Sequence, residues 1–290
     1  MRTFAFLYYM KLLKEDIIMR FETEVWERYS AAQNGAMRLL RKNENDLLLN
    51  METVLEQENI AGQVELGVYD IPVNQIIGVA NNVNNQFYTS DFLPVPSINT
   101  EFAEKWCNLY KQYLNDREVG NPIQCYEYMG KFYVADGKKR VSIARVHGAV
   151  LIKAEITRIL PAKSDEPRIQ SYYEFVRTFE KTGVYQIAFT NPCDTDGFLA
   201  AMGYNPEHIW NDSDRWGFNF TWYPFERALN LAFNGNLDIT TADAVKVLME
   251  KRPFAELKQL TSWALAELMQ ESWVELYRIS DPDFNLNPAA

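Results

Sequence analysis

The feature that most constrains the fold is the run over residues 122–161, "PIQCYEYMGKFYVADGKKRVSIARVHGAVLIKAEITRILP". Two short segments rich in β-branched and aromatic residues, "PIQCYEYM" and "KFYVAD", stand either side of Gly130, which is the pattern of a hairpin. The chain then breaks at Asp136 and Gly137. It restarts as a helix that opens on Lys138, Lys139 and Arg140 and ends at Gly148. In "VLIKAEITRILP", Ile152, Ala154 and Ile156 alternate with Lys153, Glu155 and Thr157, as a half-buried strand requires. Strand, strand, helix and strand in this order predict a small mixed sheet and an α+β fold.

The flanking segments extend that reading. Residues 22–57 read as one or two helices, with Val25, Tyr29, Ala32, Ala36, Leu39 and Leu40 at helical spacing and a turn at Asn43, Asn45 and Asp46. "VELGVYDIP" reads as a strand ended by Pro72. The Asn- and Pro-rich "NQIIGVANNVNNQFYTSDFLPVPS" reads as mainly loop, and so long a loop inside a compact domain points to function or disorder. A helix follows Thr100. After Pro161, "AKSDEP" reads as a linker, succeeded by a helix, a short strand "VYQIAFT", and then mostly helices. Among these are residues 242–252, behind a capping box at Thr240 and Asp243, and a last long helix with Leu265, Leu268, Met269, Ser272 and Leu276 on one face. The organisation expected is N-terminal helices over 19–62, the α+β domain over 63–161 and a mainly helical region over 162–290. Residues 1–18 read as a non-native extension. Lys14, Glu15 and Asp16 can be encoded by a purine-rich run resembling a bacterial ribosome-binding site, with Met19 as the start; a frayed helix is the alternative.

Composition narrows the function classes. The 290 residues carry a formal net charge of -10, which argues against general affinity for DNA or an anionic membrane. Any nucleic-acid contact must come from a local basic patch. The three cysteines, Cys107, Cys125 and Cys193, are far apart, which suits a reducing cytoplasm rather than a disulfide framework or a structural zinc site. Two histidines, His147 and His208, leave no room for a His-rich metal centre. No apolar run is long enough to span a bilayer. The N-terminal one is interrupted by Lys11, Lys14, Glu15 and Asp16, unlike a signal peptide.

Three cations at a helix start oppose the helix dipole unless an anion binds there. Gly137 permits tight backbone geometry, and the first-turn amides can donate to an anion. Arg140 suits bidentate contact with phosphate, and Lys138 and Lys139 act as point charges. The competing reading is a solvated basic turn paired with Asp136. That carboxylate itself suits three roles: magnesium ligand beside a triphosphate, base in phosphoryl transfer, or simple partner of the helix dipole. Glu127 and Asp91 are further candidate acids. His147 reads as a helix C-terminal cap, and His208 shows no partner. The aromatic run "DRWGFNFTWYPFERAL" reads as packing before base stacking, and Arg38, Arg41 and Lys42 as a solvated face.

The segment "PIQCYEYMGKFYVADGKKRVSIARVHGAVLIKAEI" resembles the central part of the ParB/sulfiredoxin-like superfamily. That family runs a Pro-Ile strand, a second strand, a Gly-x-x-Arg turn opening a short helix ended by Gly, and a further strand. "VYDIPVNQIIGV" resembles its opening strand, Pro and short helix, so the likeness covers residues 64–161. The resemblance implies a small fold whose Gly-x-x-Arg turn meets nucleotide phosphates, CTP in ParB-type members and ATP in sulfiredoxin-type and serine-kinase relatives, with Mg2+. Carried over, Gly137, Lys138, Lys139 and Arg140 match the turn, and Ser142 adds a hydroxyl. No cysteine stands in the turn, so sulfinic-acid reduction is not implied. The Asn-rich loop lacks the arginine of ParB relatives, and the tail shows no helix-turn-helix. The expected function is a bacterial, cytoplasmic ParB-like protein that binds a nucleotide or other phosphate ligand, as a regulator or switch. The alternatives are a phosphoryl-transfer enzyme or nuclease using Asp136 and Glu127, and an interaction module with a vestigial turn.

Overall fold

The structure, a computed structural model, describes the backbone of residues 2–44, 46–116 and 120–282, and their side chains from residue 21 onward. The chain divides into two units, Met1–Leu160 and Pro161–Ala290.

The first unit opens with helix α1 (Arg2–Lys42). The question of an extension over 1–18 falls on side chains outside the described set, and Asn45 of the expected turn also lies outside it. Within α1, Val25, Tyr29, Ala32 and Ala36 recur on one face and are buried. Tyr29 meets Trp106 of α3 (Glu101–Asn115) edge-on, with ring centroids 5.3 Å apart. The helical pattern of residues 22–57 is broken after Lys42. Leu49–Asn50 form a short strand β1, and Asn50 caps a separate helix α2 (Met51–Leu55), its side chain accepting from the Glu52 N–H at 3.2 Å.

The remaining strands are β2 (Ile60–Pro72), β3 (Ile76–Val79), β4 (Ile123–Tyr128), β5 (Lys131–Asp136) and β6 (Leu151–Pro161), with helix α4 (Lys138–His147) between the last two. Among the described residues they form one six-stranded mixed sheet in the order β1-β3-β5-β4-β6-β2. β4 and β5 are antiparallel, while β1 with β3, β3 with β5, and β4 with β6 are parallel. The fold is therefore α+β, with β2 as an outer strand exposed over most of its length.

Strand β3 corrects the expectation that residues 74–97 are mainly loop. Four residues are too few to show a period, and what makes them a strand is tertiary. Ile76 and Val79 are fully buried between neighbours on both sides. At Gly78 the β1 backbone comes so close that an added Cβ would sit 2.2 Å from the Leu49 carbonyl oxygen. β3 also decides where the site lies. Val79 pairs with Val134 in parallel register, so the loop leaving β3 and the turn leaving β5 emerge side by side.

The second unit is helical: α5 (Pro167–Thr182), α6 (Thr195–Ala201), α7 (Asp212–Phe233), α8 (Thr241–Lys251), α9 (Phe254–Leu257), α10 (Ser262–Glu271) and α11 (Trp273–Ser280). Thr240 and Asp243 form the expected capping box of α8. Two expectations fail here. "VYQIAFT" is not a strand; among the described residues no strand follows β6 to pair with it, and it is held by side chains. Val184, Tyr185, Ile187 and Phe189 are buried, and the Thr190 N–H donates to the Asp243 carboxylate at 3.1 Å. The last long helix is two helices, because Ser272 leaves the helical region (φ -101, ψ 18). Its hydroxyl donates to the Leu268 carbonyl at 2.8 Å and bonds the Lys251 ammonium at 2.8 Å.

The aromatic run of α7 is divided between core and surface. Phe218, Trp222 and Phe225 are buried, while Trp216 and Phe220 stack on each other in solvent with centroids 5.7 Å apart. Among the described residues no helix is long and apolar enough to cross a membrane.

Burial pushes the Glu226 carboxyl of α7 up from 4.5 to about 7. The folded state then holds a proton that the unfolded state has lost between those pH values, so stability falls as pH rises through that window. Replacement Glu226→Gln is expected to raise the melting temperature at pH 8 by about 2 °C or more and to change it little at pH 4. Thermal scans at both pH values check this.

Candidate functional site

The turn that joins β5 to α4 is built on Gly137. Its φ is +102°, a left-handed conformation in which a side chain is strained. Space forbids one as well, since an added Cβ would lie 2.5 Å from Ile123 Cγ2 and 3.0 Å from Arg140 Nη2. No side chain caps this helix start. The first intrahelical bond runs from the Val141 N–H to the Gly137 carbonyl at 3.1 Å. The amides of Lys138, Lys139 and Arg140 precede it and belong to the turn whose N–H groups lack helical acceptors.

The three cations have different tasks. The Lys138 ammonium reaches across to the Asn-rich loop, where it donates to the Val83 carbonyl, to Asn85 Oδ1 at 3.1 Å and to the Asn81 carbonyl at 3.4 Å. Lys139 lies over the Phe102 ring of α3, 4.6 Å from its centroid. Burial lowers the pKa of both lysines, and for Lys139 the neighbouring Lys105 lowers it further. Arg140 bends back over Gly137, and its Nη2 pairs with Asp136 Oδ2 at 2.9 Å. The Arg140 side chain is 19% exposed and that of Asp136 72%.

Two cavities meet at this arginine. The smaller, about 460 Å³, is walled by the Asn81 to Asn84 loop, Phe87, Phe102 and the turn from Asp136 to Arg140. The larger, about 650 Å³, lies beside α3 and α4, with Leu109, Ile143 and Val150 among its walls. Arg140 and Leu109 line both. The smaller cavity thus presents uncapped amides and a guanidinium in one place, the combination that binds phosphate or carboxylate.

Of the residues singled out from sequence, Asp136, Gly137, Lys138, Lys139 and Arg140 come together. Glu127 and Ser142 do not join them. Glu127 lies three residues, about 10 Å, along β4 from Gln124, the partner of Asp136 in the hairpin register. It is fully buried. Its carboxylate pairs with the Arg158 guanidinium of β6 and accepts the Gly130 N–H at 2.7 Å, where Met129 (φ 51) and Gly130 (φ 74) close the hairpin. That is a fold position, not a place from which an acid reaches the phosphates. Ser142 is also fully buried, and its hydroxyl accepts from the Trp106 indole at 3.0 Å, on the face of α4 turned to α3.

Other candidates are also placed. Asp91 stands near Arg145, whose terminal nitrogen donates to the Ile76 carbonyl at 2.7 Å. His147 packs on Tyr113, ring centroids 5.1 Å apart, within hydrogen-bond reach of the Tyr110 hydroxyl. His208 does have a partner, Asp214 at 2.9 Å. Cys125 in β4 is buried, which pushes its thiol above the ordinary range and leaves no thiolate beside the turn. Among the described residues no group of three or more His, Cys, Asp or Glu gathers to hold a metal.

The sequence reading missed the loop acceptors of Lys138, the Phe102 seat of Lys139, and Leu109. The Asn-rich composition marked the loop but not its partner. Comparison with known proteins leaves the geometry as the guide: no family model and no curated protein matches the chain.

Replacement Gly137→Ala combines positive φ with a clash and is expected to cost about 1–3 kcal/mol, read from urea denaturation. Replacement Glu127→Ala removes the buried carboxylate that pairs with Arg158 and is expected to cost about 3–5 kcal/mol in the same assay. A much smaller loss for Glu127→Ala would show that the pair does not hold the sheet.

Proposed function

We propose that the first unit binds a nucleotide or another phosphorylated ligand at the turn from Gly137 to Arg140, and that the protein acts as a ligand-dependent regulator. The observation that carries this reading is Arg140, set beside an uncapped helix start whose glycine leaves the backbone bare. The phosphates would lie against the amides of Lys138 and Lys139 and displace Asp136 from the guanidinium. The α+β fold and the strand-turn-helix order support the resemblance to ParB/sulfiredoxin-like proteins, for which CTP or ATP with Mg2+ is the ligand. The Asn-rich loop then contributes by fixing Lys138 and so the mouth of the cavity, where the ParB family would place an arginine.

Magnesium fits this site as a companion of the phosphates, with Asp136 as the residue that would hold it. When bound it would neutralise charge between phosphate oxygens. The exposed position of Asp136 at the rim also favours a second reading, a phosphoryl-transfer enzyme in which this carboxylate takes the proton of the attacking group.

Calorimetric titration of the full chain with CTP, ATP and tripolyphosphate, with and without Mg2+, tests the proposal. At least one probe is expected to bind, and Arg140→Ala to weaken it about 10- to 100-fold, as loss of a charged hydrogen-bond pair implies. Absence of binding by every probe at millimolar concentration would overturn it. Asp136→Asn divides the two readings. A regulator binds metal-free tripolyphosphate more tightly once the competing carboxylate is gone. An enzyme loses phosphate release while keeping its affinity.

A further inference from the structure

Helix α7 carries apolar side chains on two faces. Phe218, Trp222, Phe225 and Ala228 fill the core of its unit. On the opposite side Trp216, Phe220, Tyr223 and Leu231 are 71%, 73%, 44% and 37% exposed. Asp212 and Arg227 are exposed on that side too. At 3.6 residues per turn these six side chains fall in one strip roughly 100° wide. The Trp216 and Phe220 rings already stack on each other, 14° from parallel, so each has one face covered by the other. An exposed apolar row at steps of three and four residues is the seam of a helix that packs on another helix.

The spacing of the row points to its occupant. From Asp212 to Leu231 the steps are 4, 4, 3, 4 and 4 residues, so the row reads the same in both directions. A two-fold axis between Thr221 and Trp222, with two α7 helices antiparallel, sets Phe220 of each copy level with Tyr223 of the other. It sets Trp216 of each copy level with Arg227 of the other. Both pairs match in chemistry: ring on ring, and guanidinium on indole. A two-fold interface needs such reciprocal matching within a single surface. The row also holds one anion and one cation in a chain of formal net charge -10, so two acidic copies meet there without local repulsion. Its exposed side chains offer roughly 500 Å² per copy, or about 1,000 Å² in total, the lower end of specific interfaces. We propose that α7 pairs antiparallel with α7 of a second copy of this chain through this row, giving a dimer that dissociates in the micromolar range. This is independent of the phosphate-binding reading, which concerns the first unit.

Sedimentation velocity of the full chain, from low micromolar to about 0.5 mM, tests the proposal. The chain is expected to pass from monomer to dimer across that range. Trp216→Ser and Phe220→Ser change exposed side chains, so the fold is kept, which circular dichroism verifies. Each is expected to weaken association at least tenfold. Trp216→Arg, which sets arginine against arginine, is expected to weaken it similarly, and the exchange Trp216→Arg with Arg227→Trp to restore it. A chain that stays monomeric at every concentration would overturn the proposal, and so would a monomer that co-sediments with phosphatidylcholine vesicles, which would assign the row to a lipid surface. A dimer unmoved by Trp216→Ser and Phe220→Ser forms elsewhere and would overturn it as well. A double exchange as weak as Trp216→Arg alone would overturn the antiparallel pairing.

Discussion

Everything at the site depends on one backbone reversal, the left-handed turn at Gly137 packed against Ile123. It allows β5 to end and α4 to begin with no intervening loop, so the helix start is held against the sheet. It also removes the side chain that would otherwise run into Ile123 and the Arg140 guanidinium. The uncapped amides and the positive end of the dipole make the place unfavourable for three cations unless charge is offset. The structure offsets it in three ways: loop carbonyls for Lys138, an aromatic face for Lys139, and Asp136 for Arg140. Only the last of these is an exposed ion pair, of the kind worth little in water and readily exchanged for a better anion.

The sheet order gives the turn its surroundings. Because β3 and β5 run parallel, the chain leaves both at the same edge, and the Asn-rich loop meets Lys138 there. At the other end of the hairpin the buried pair of Glu127 and Arg158 ties β4 to β6, and Glu127 also holds the hairpin turn. Two carboxylates that look alike in sequence are thus separated by function. One is sealed in the sheet, and the other stands in solvent beside a guanidinium.

Much of this was legible in the residues, and the failures share a cause. The hairpin, the Gly137 break, the Gly148 cap and the β6 alternation are local signals, and the structure has each of them. β3 was not legible, because a four-residue buried strand has no period and is made by its neighbours. "VYQIAFT" has strand composition, but among the described residues its unit holds no strand to pair with it, and its apolar side chains enter a helical core instead. Ser142 looked available two residues after Arg140, yet the helical rotation carries it to the face that packs on Trp106. Lys138 looked like a phosphate ligand because nothing in the sequence says that the loop some 55 residues earlier folds over it.

The central claim is that an anion is bound by the amides and arginine of this turn rather than by basic residues elsewhere. Two-dimensional amide NMR of the isotope-labelled chain, titrated with tripolyphosphate, addresses it residue by residue. The account predicts saturable shifts concentrated at the amides of Gly137, Lys138, Lys139 and Arg140 and at the Arg140 side-chain N–H. Shifts that fall instead on the exposed Arg38, Arg41 and Lys42 face of α1, with the turn unmoved, would contradict it.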